Sequence, residues 1–374
     1  MPRGYRSPKN CALIMPDSIQ RAVDVLKAGG LVGMPTETVY GLAADANNVS
    51  AINKIFSSKG RPSGHPLIVH IAQAEPNVAD DHQASAIAWR EILSQWSRDV
   101  SPEALILANK FWPGPLTMIL PKAKNVLSEV TGGQETVGVR CPQHPMAQQL
   151  LKVFGGGLAA PSANRFGRIS PTTAEHVREE FPGNEVLVID GGPCDVGIES
   201  TIVDLTRLDT HGAVILRPGA ITQVMIDQAL ATSDQAGAKL LSMAPKGNEA
   251  VPRVSGSLSA HYAPKTKLLV YDPKDAKSIF SEANEAAGFK QVAWVHFPQA
   301  QLDKQNDKAL GLKNVVKELL LPLEPKSLAR ELYALLRQLD ALKVDCIFFE
   351  QLPGGIEWDA IRDRLGRASV GSGM

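Results

Sequence analysis

The chain has 374 residues, more than the roughly 250–300 at which a single hydrophobic core usually stops growing, so two domains are expected. Hydrophobic residues make up 44% and charged residues 21%, a globular balance that argues against overall disorder. Lys plus Arg and Asp plus Glu number 39 each, so the net charge gives no sign of a strong overall attraction to nucleic acid or membranes. Any anion site must therefore be local.

Four widely spaced cysteines give no sign of a disulfide framework or a zinc site. Cys11, Cys141, Cys194 and Cys346 form no Cys-x-x-Cys pair, and their spacing fits free thiols in a reducing compartment. Residues 1–10 contain no apolar core of a signal peptide, and no run approaches the ~18 apolar residues of a membrane span. The cytoplasm is therefore the expected location.

The N-terminal part of the chain alternates irregularly between predicted helices and strands. The apolar patterns predict helices at 18–28, 51–58, 86–96, 103–111 and 174–180. They predict strands at 31–34, 67–71, 116–120, 136–139, 158–160, 186–189, 199–205 and 214–217. Because helices and strands do not alternate one by one, the order favours a mixed α/β sheet over a regular βαβ series.

The C-terminal part follows a stretch that is rich in Ala, Gly, Ser, Pro and Lys, which is typical of a linker. Beyond it, strands are predicted at 267–271, 292–296 and 345–350, and helices at 276–287, 327–342 and 358–368. This alternation predicts a small Rossmann-like parallel sheet, although no Gly-x-Gly-x-x-Gly supports dinucleotide binding there. The predicted division is a catalytic domain at 1–234, a linker or lid at 235–264 and a C-terminal domain at 265–374.

The first polar motif is PTETVYGL at 35–42, directly after a predicted strand. Its hydroxyls and carboxylate would lie at the strand edge where open α/β sheets bind ligands. An ordinary polar turn would have the same composition. Another strand ends at His70, which could belong to a site or complete a polar network.

The glycine-rich segment Gly155–Asn164 is the strongest single signal in the chain. Glycines permit positive φ, and the small residues after them let the backbone approach a ligand closely. Ser162 and Asn164 then offer a hydroxyl and an amide. Ser170 and Thr172 precede a predicted helix, where they could cap it or bind an anion.

Basic residues recur at the ends of predicted elements, although each alone could form a surface salt bridge. They are Lys59 and Arg61, Arg140, Arg165 and Arg168, and Arg217. In an extended chain Lys59 and Arg61 would point to one face, where they could clamp phosphates or form a solvated basic turn. The recurrence of such residues in a chain of zero net charge favours one focused polyanion pocket.

Several common catalytic signatures are absent from the sequence. It contains no P-loop, protein-kinase motif set, nucleophile elbow or clustered metal ligands, so no site metal is predicted. If ATP binds to this chain, it binds without a Walker-type cradle, and Mg²⁺ would be held largely by the phosphates.

Taken in order, the motifs resemble those of the YrdC-like threonylcarbamoyl-AMP synthases, in their long two-domain form. The matching segments are PTETVYGL, KGRP, PLIVHI, FWPGPLTMIL, VGVRCP, APSANRFG, SPTTAEHV, ESTIVDL and ILRPGAI, followed by SAHYAP near the predicted linker. The resemblance implies an N-terminal YrdC-like domain with a twisted mixed α/β sheet and a concave basic pocket. A linker and a smaller C-terminal Rossmann-like domain with a parallel sheet would follow.

The resemblance also implies a reaction and its participants. L-Threonine, bicarbonate and ATP would give threonylcarbamoyl-AMP and pyrophosphate, the first step of tRNA threonylcarbamoyladenosine modification, with Mg²⁺ carried by ATP. The expected partners are the downstream threonylcarbamoyl transferase machinery and, as a possible contact, tRNA.

Site residues carry over by position within the matching motifs. The L-threonine subsite would comprise Thr38, His70, Arg140, Ala160 (through its backbone) and Ser200. The ATP contacts would be Lys59, Arg61, His65, Thr136, Ser162, Asn164, Ser170, Arg217 and Tyr262. Lys59 and Arg61 would be the catalytic pair, Arg140 would bind the threonine carboxylate, and Tyr262 would cover the nucleotide.

Two other functions use the same fold. A double-stranded RNA-binding module would place phosphate backbone against the basic residues and would show strong salt dependence. A hydrogenase-associated carbamoyltransferase factor would need acylphosphatase-like and zinc-binding segments, which this chain lacks. The combination of Lys59 and Arg61 with Ser162 and Asn164 favours the enzyme.

Overall fold

The computed structural model describes residues 16–75, 82–183, 185–231, 251–275, 278, 288–298 and 315–373. The chain forms two compact units that do not follow chain order. The first comprises Met1–Arg165, Pro171–Asp195 and Glu199–Ser257, and the second comprises Phe166–Ser170, Val196–Ile198 and Leu258–Met374. Within the described ranges, no helix is both long and apolar enough to cross a membrane.

The first unit combines short helices with a large sheet. Its helices are α1 (Pro16–Lys27), α2 (Val49–Lys59), α3 (His82–Leu93), α4 (Pro102–Phe111), α5 (Ser128–Thr131), α6 (Pro145–Phe154), α7 (Ala174–Glu180), α8 (Leu208–His211) and α9 (Gln223–Ala231). Its strands are β1 (Leu31–Met34), β2 (Gly41–Asp45), β3 (Ile68–His70), β4 (Leu116–Pro121), β5 (Thr136–Arg140), β6 (Leu158–Ala159), β7 (Val186–Val188), β8 (Thr201–Asp204) and β9 (Val214–Arg217).

The nine strands form one sheet in the order β7-β1-β2-β6-β3-β5-β4-β8-β9. The pairs β1/β7, β3/β5 and β4/β8 are parallel, and the other neighbours are antiparallel. Leu42 and Ala43 belong to different hydrophobic clusters, as the alternation of side chains along a strand requires. The sheet is therefore covered by apolar side chains on both faces, and the prediction of a mixed α/β sheet is confirmed.

Five elements of this unit were not predicted: β2, α5, α6, α8 and α9. The strand β2 (GLAAD) contains no β-branched or aromatic residue, so its β propensity is low, yet four of its five residues are buried. The helix α6 begins at Pro145, a residue favoured in the first turn, and the side chain of His144 caps it by accepting from Met146 N.

Because β2 begins at Gly41, the motif at 35–42 consists of a buried turn and the first residues of this central strand.

The second unit contains a smaller sheet. Its strands are β10 (Lys267–Tyr271), β11 (Val292–His296), β12 (Val315–Leu320) and β13 (Cys346–Glu350), and its helices include α10 (Pro325–Ala341) and α11 (Asp359–Gly371). All neighbours in the order β10-β13-β11-β12 are parallel, so the predicted parallel sheet is confirmed. The half-exposed edge strand β12 was not predicted.

Two predictions fall partly outside the described residues. The helix predicted at 276–287 lies outside them except for residue 278, and so does the part of the predicted linker at 235–250. The division into 1–234, 235–264 and 265–374 therefore stays a prediction.

Short segments from the middle of the chain pack within the second unit. Gly197 has a φ of 80° and lies against the backbone of α10, where an added Cβ would come within 2.4 Å of Arg330 Cα and 2.5 Å of Ala329 O. Only glycine fits this close backbone approach without displacement.

Candidate active site

Strand register places three polar residues in one row of the first unit. In the parallel pair β3/β5, His70 lies opposite Arg140, and in the antiparallel pair β4/β5, Thr117 lies opposite the same arginine. Directly opposed residues on neighbouring strands share one face of a sheet. His70, Arg140 and Thr117 therefore form a row, which we call the polar row, and all three are buried.

Arg140 is anchored by the turn after β1. Its NH2 lies 2.6 Å from Glu37 Oε1, and its NH1 donates to Thr38 Oγ1 at 2.9 Å. The second carboxylate oxygen of Glu37 accepts from Gln143 N at 3.0 Å, so both oxygens are hydrogen-bonded. A buried ion pair is tolerated when its remaining hydrogen-bonding capacity is satisfied in this way.

One donor of Arg140 is left over within the part of the chain that the structure describes. Its Nε is buried and has no hydrogen-bond partner there. A buried donor of this kind carries a desolvation cost unless a ligand or water meets it. The Nε–H of Arg140 is thus available to bind an anion next to the ion pair with Glu37.

The turn itself is held by Thr36. Its Oγ1 accepts from the backbone N–H groups of Thr38 and Val39, both at 3.2 Å, and donates to Val39 O at 2.5 Å. This local hydrogen bonding fixes the backbone that presents Glu37 and Thr38. An ordinary solvated turn does not fit, because residues 36–40 are buried.

His70 takes a neutral role in the polar row. Burial, followed by the charge of Arg140, lowers its pKa from 6.5 to about 3. Its Nδ1 lies 3.2 Å from Ile68 O. A neutral imidazole carries one donor and one acceptor, so His70 can hydrogen-bond a substrate without adding charge.

Lys59 and Arg61 reach the site by a different geometry from the predicted one. Gly60 ends α2 with a φ of 64°, and Arg61 N bonds back to Phe56 O, a glycine C-cap. The expectation that an extended chain points both cations to one face is therefore wrong, because the chain turns at Gly60. Both side chains are nevertheless buried, and the positive charge of Arg61 contributes to lowering the pKa of Lys59.

Lys59 binds the backbone of the segment that follows β6. Its Nζ donates to the carbonyl oxygens of Ser162, at 2.6 Å, and Asn164. Burial is the largest cause of its lowered pKa. An ammonium has three donors, so two carbonyls leave one N–H for another oxygen.

The glycines before this segment serve the fold. Gly155 caps α6 with a φ of 75° and donates to Leu151 O. At Gly157 an added Cβ would lie 2.2 Å from the ring of Trp96, so a side chain has no room. The positive φ expected of these glycines is present at Gly155, where it ends a helix, whereas Gly157 packs against an aromatic ring.

Arg217 and Ser200 form a second buried group, adjacent to the polar row. The Nε and NH2 of Arg217 donate to Ser200 O at 3.1 and 2.9 Å, and NH2 also donates to Ser200 Oγ at 3.1 Å. Ser200 Oγ lies 2.8 Å from Thr117 Oγ1. Thr117 is thus the member of the polar row that contacts Ser200, and Ser200 in turn contacts Arg217. Ser200 was predicted in the threonine subsite, and Arg217 was predicted to contact ATP.

A small cavity lies beside this group in the first unit. Thr136 lines it together with Ile68, Ile202, Val254 and Ser255. The NH1 of Arg217 donates to Ser255 O at 2.9 Å, so the 253–255 segment lies against this group.

His65 precedes β3 in the chain, and Ala160 lies beside this strand. Burial is the largest cause of the lowered pKa of His65, followed by the positive charges of Arg61 and Arg253. Ala160 N donates to Ile68 O at 3.0 Å, so its backbone continues the sheet beside β3.

Ser170 and Tyr262 belong to the second unit. Ser170 is fully buried but caps no helix: α7 is capped by Thr173, whose side chain accepts from His176 N. The prediction that Ser170 or Thr172 caps this helix is wrong: α7 begins at Ala174, as predicted, and its N-cap is the residue immediately before it, Thr173. Tyr262 is buried and has a φ of 61°.

Two residues of the site were missed from the sequence. Glu37 lies inside a matching motif, but its partner Arg140 is 103 residues away, so no local pattern could identify the pair. Thr117 lies in the apolar strand LTMILP, where its single hydroxyl was the only signal.

Comparisons with known proteins cover nearly the whole chain. A family model described as "Telomere recombination" matches residues 24–219, and one described as "Threonylcarbamoyl-AMP synthase, C-terminal domain" matches residues 221–370. Curated proteins named threonylcarbamoyl-AMP synthase from Pyrococcus abyssi and Bacillus subtilis are each 34% identical over 94% of this chain, covering 94% and 93% of their own lengths. The relative of that name from Schizosaccharomyces pombe is 33% identical over 94% of this chain and 88% of its own length.

A solved structure is similar over the same extent. The crystal structure of P. abyssi Sua5 complexed with L-threonine matches with a TM-score of 0.74 and 32% identity, covering 94% of each chain. The resemblance drawn from the motifs is thereby confirmed.

Proposed function

The chain belongs to the threonylcarbamoyl-AMP synthase family of nucleotidyltransferases, and on that premise we propose that it makes threonylcarbamoyl-AMP and pyrophosphate from L-threonine, bicarbonate and ATP. This reaction would be the first step of tRNA threonylcarbamoyladenosine modification. The observation that carries the substrate assignment is the polar row, in which a buried, anchored arginine has an unpartnered N–H beside a neutral histidine.

The L-threonine subsite comprises Thr38, His70, Arg140, Ala160 and Ser200. Arg140 binds the carboxylate, and its guanidinium is already oriented by Glu37 and Thr38. A preoriented guanidinium loses little conformational entropy when a carboxylate arrives. His70 and Ser200 offer neutral hydrogen bonds suited to the hydroxyl and amine of threonine.

The ATP subsite comprises nine residues. They are Lys59, Arg61, His65, Thr136, Ser162, Asn164, Ser170, Arg217 and Tyr262. Lys59 and Arg61 are the catalytic pair, and the two carbonyls that hold Lys59 aim its remaining N–H. Ser170 and Tyr262, in the second unit, are assigned from the motif resemblance.

The reaction needs two bond-forming steps. The threonine amine attacks bicarbonate and forms an N-carboxylate with loss of water, and an oxygen of that carbamate then attacks the α-phosphorus of ATP as pyrophosphate leaves. No protein nucleophile is required, so positioning and electrostatic stabilisation would supply the rate enhancement. The residues fit this demand, because they are cations and neutral hydrogen-bonding groups.

Mg²⁺ would enter as part of the Mg–ATP substrate. The phosphate oxygens of ATP would hold most of its coordination sites. In the described ranges no three His, Cys, Asp or Glu side chains lie close enough together to hold a metal ion. The cytoplasm is the proposed location. The downstream transferase machinery and tRNA are proposed partners on the chemistry of the product.

Pyrophosphate release tests the proposal directly. The protein is incubated with Mg–ATP and bicarbonate, with and without L-threonine, and pyrophosphate is quantified. Release should require both threonine and bicarbonate, because the carbamate is the attacking group. L-Alanine, which lacks the hydroxyl, serves as the matched substrate control and should support much less release. Equal release with and without threonine would exclude the proposed reaction.

A further inference from the structure

The loop Phe166–Ser170 belongs to the second unit and makes several contacts within it. Ala263 N donates to Gly167 O at 2.9 Å, and Arg168 and Ala263 form a parallel bridge. The ring of Phe166 meets His261 edge-on, with centroids 6.2 Å apart. These contacts fix the first part of the loop.

The last part of the loop is held by Arg337 of α10. Its NH2 donates to Ile169 O at 2.6 Å, a short charge-assisted hydrogen bond to the residue immediately before Ser170. Because the carbonyl of Ile169 and the nitrogen of Ser170 share one peptide plane, a donor on that carbonyl also orients Ser170. Ser170 is fully buried, so its side chain has little freedom to compensate.

The same face of α10 also holds Tyr262. Tyr333 lies four residues before Arg337, and such pairs lie one above the other on a helix. The ring of Tyr333 stacks on Tyr262 with centroids 5.6 Å apart, and Arg364, also fully buried, lies 5.3 Å from the Tyr262 ring. Tyr262 has a φ of 61°, an unfavourable conformation for tyrosine that surrounding contacts must maintain.

We propose that Arg337 is a positioning residue for ATP, acting through the carbonyl of Ile169 on Ser170, on a helix face that also holds Tyr262. The proposal rests on the proposed function, since it takes Ser170 and Tyr262 as ATP contacts. It assigns the helix α10 a task in the reaction, which is to hold the backbone before Ser170 and the ring of Tyr262.

Three variants separate positioning from general stability. Arg337→Met removes the donor but keeps most of the side-chain volume, and Arg337→Lys keeps a cation that can still reach a carbonyl. Lys326→Met is the matched control, because it removes one positive charge from an exposed position on the same helix. Each variant is compared with the wild-type full chain.

Mg–ATP affinity is measured by calorimetry, and the KM values for ATP and threonine are measured from pyrophosphate release. Arg337→Met should weaken ATP binding and raise the KM for ATP by about tenfold, the scale of one lost charge-assisted hydrogen bond, while the KM for threonine stays within about twofold. Arg337→Lys should recover part of the affinity, and Lys326→Met should match wild type. Equal changes in the ATP and threonine KM values, or unchanged ATP affinity, would overturn the proposal.

Hydrogen–deuterium exchange provides a readout that does not depend on turnover. In Arg337→Met, amides of residues 167–170 should exchange faster than in wild type and Lys326→Met, with exchange in the β3/β5 strands unchanged. Unaltered exchange in the loop would show that Arg337 does not hold it. A wild type that binds ATP but releases no threonine-dependent pyrophosphate would refute the proposed function while leaving the positioning measurements decisive.

Discussion

Arg140 and His70 are neighbours on adjacent strands, yet they differ in charge. The guanidinium of Arg140 lies 2.6 Å from the carboxylate of Glu37. At His70, burial and then the charge of Arg140 lower the pKa and favour the neutral form of the ring. The site thus holds one buried cation beside one neutral ring.

The titration of His70 predicts a loss of stability in acid. Its folded-state pKa of about 3 lies below the usual 6.5, so between these values the unfolded chain binds a proton that the folded chain does not. The contribution of neutral His70 to the free energy of unfolding is therefore fully present above pH 6.5 and is lost as the pH falls towards 3. Between pH 6.5 and pH 4 the free energy of unfolding decreases by about 3 kcal/mol from this group.

Denaturant unfolding at pH 7 and pH 4 measures this contribution. His70→Gln cannot titrate, so its free energy of unfolding should fall about 3 kcal/mol less than that of wild type between the two pH values. His211→Gln, at a partly exposed position outside the site, should follow the wild type. If His70→Gln and wild type lose equal stability, His70 is not the responsible group.

At the scale of elements, strand register determines which distant residues meet. The strand predicted at 31–34 agrees with β1, because four consecutive apolar residues precede a proline. The pairing of β3 with β5 could not be predicted, because the sequence of a short apolar strand does not specify which other strand it pairs with. Local patterns therefore identified Arg140 and His70 as candidates, whereas their adjacency, and the roles of Glu37 and Thr117, required the sheet.

The conformation at the end of a helix is also difficult to predict from local sequence patterns. The KGRP motif was singled out from the sequence, but whether Gly60 continues an extended chain or caps α2 depends on a backbone hydrogen bond from Arg61 N to Phe56 O. Both conformations are compatible with glycine. The backbone geometry of this motif therefore could not be predicted from its residues.

The contact between β4 and the start of β8 gives a prediction for Thr117. Thr117→Val preserves the shape of the side chain and its β propensity but removes the hydroxyl that meets Ser200 Oγ at 2.8 Å. Because Ser200 is a proposed threonine contact, the KM for threonine should rise by about fivefold to tenfold, with a smaller change in the KM for ATP. Thr131→Val, a buried threonine on α5, is the control. An unchanged threonine KM would remove Thr117 from the site.

At the scale of the whole molecule, the distribution of charge separates the enzyme from a duplex-RNA binder. The net charge is zero, and the basic residues Lys59, Arg61, Arg140 and Arg217 are each at most 6% exposed. A small polyanion could enter such surroundings, but the backbone of a duplex could not contact them all. To bind RNA through these residues, the protein would have to expose most of these buried side chains to solvent.

Fluorescence anisotropy with a labelled RNA duplex of about 16 base pairs tests this conclusion. Binding should be weak, and its dependence on salt between 50 and 200 mM should be shallow, because few phosphates are neutralised. A steep decrease of log affinity with log salt, equivalent to several phosphate contacts, would favour the RNA-binding alternative. Lys59→Ala should leave this weak binding unchanged.

The interleaving of the two compact units limits how members of this family can be recombined. The family models meet between residues 219 and 221, which would be a natural crossover for a chimera of two relatives. Such a crossover would separate 166–170 and 196–198 from the α10 that they fit, including the Gly197 contact that excludes any side chain. A chimera must therefore be designed from the three-dimensional units, so that the segments 166–170 and 196–198 come from the same relative as the C-terminal sheet.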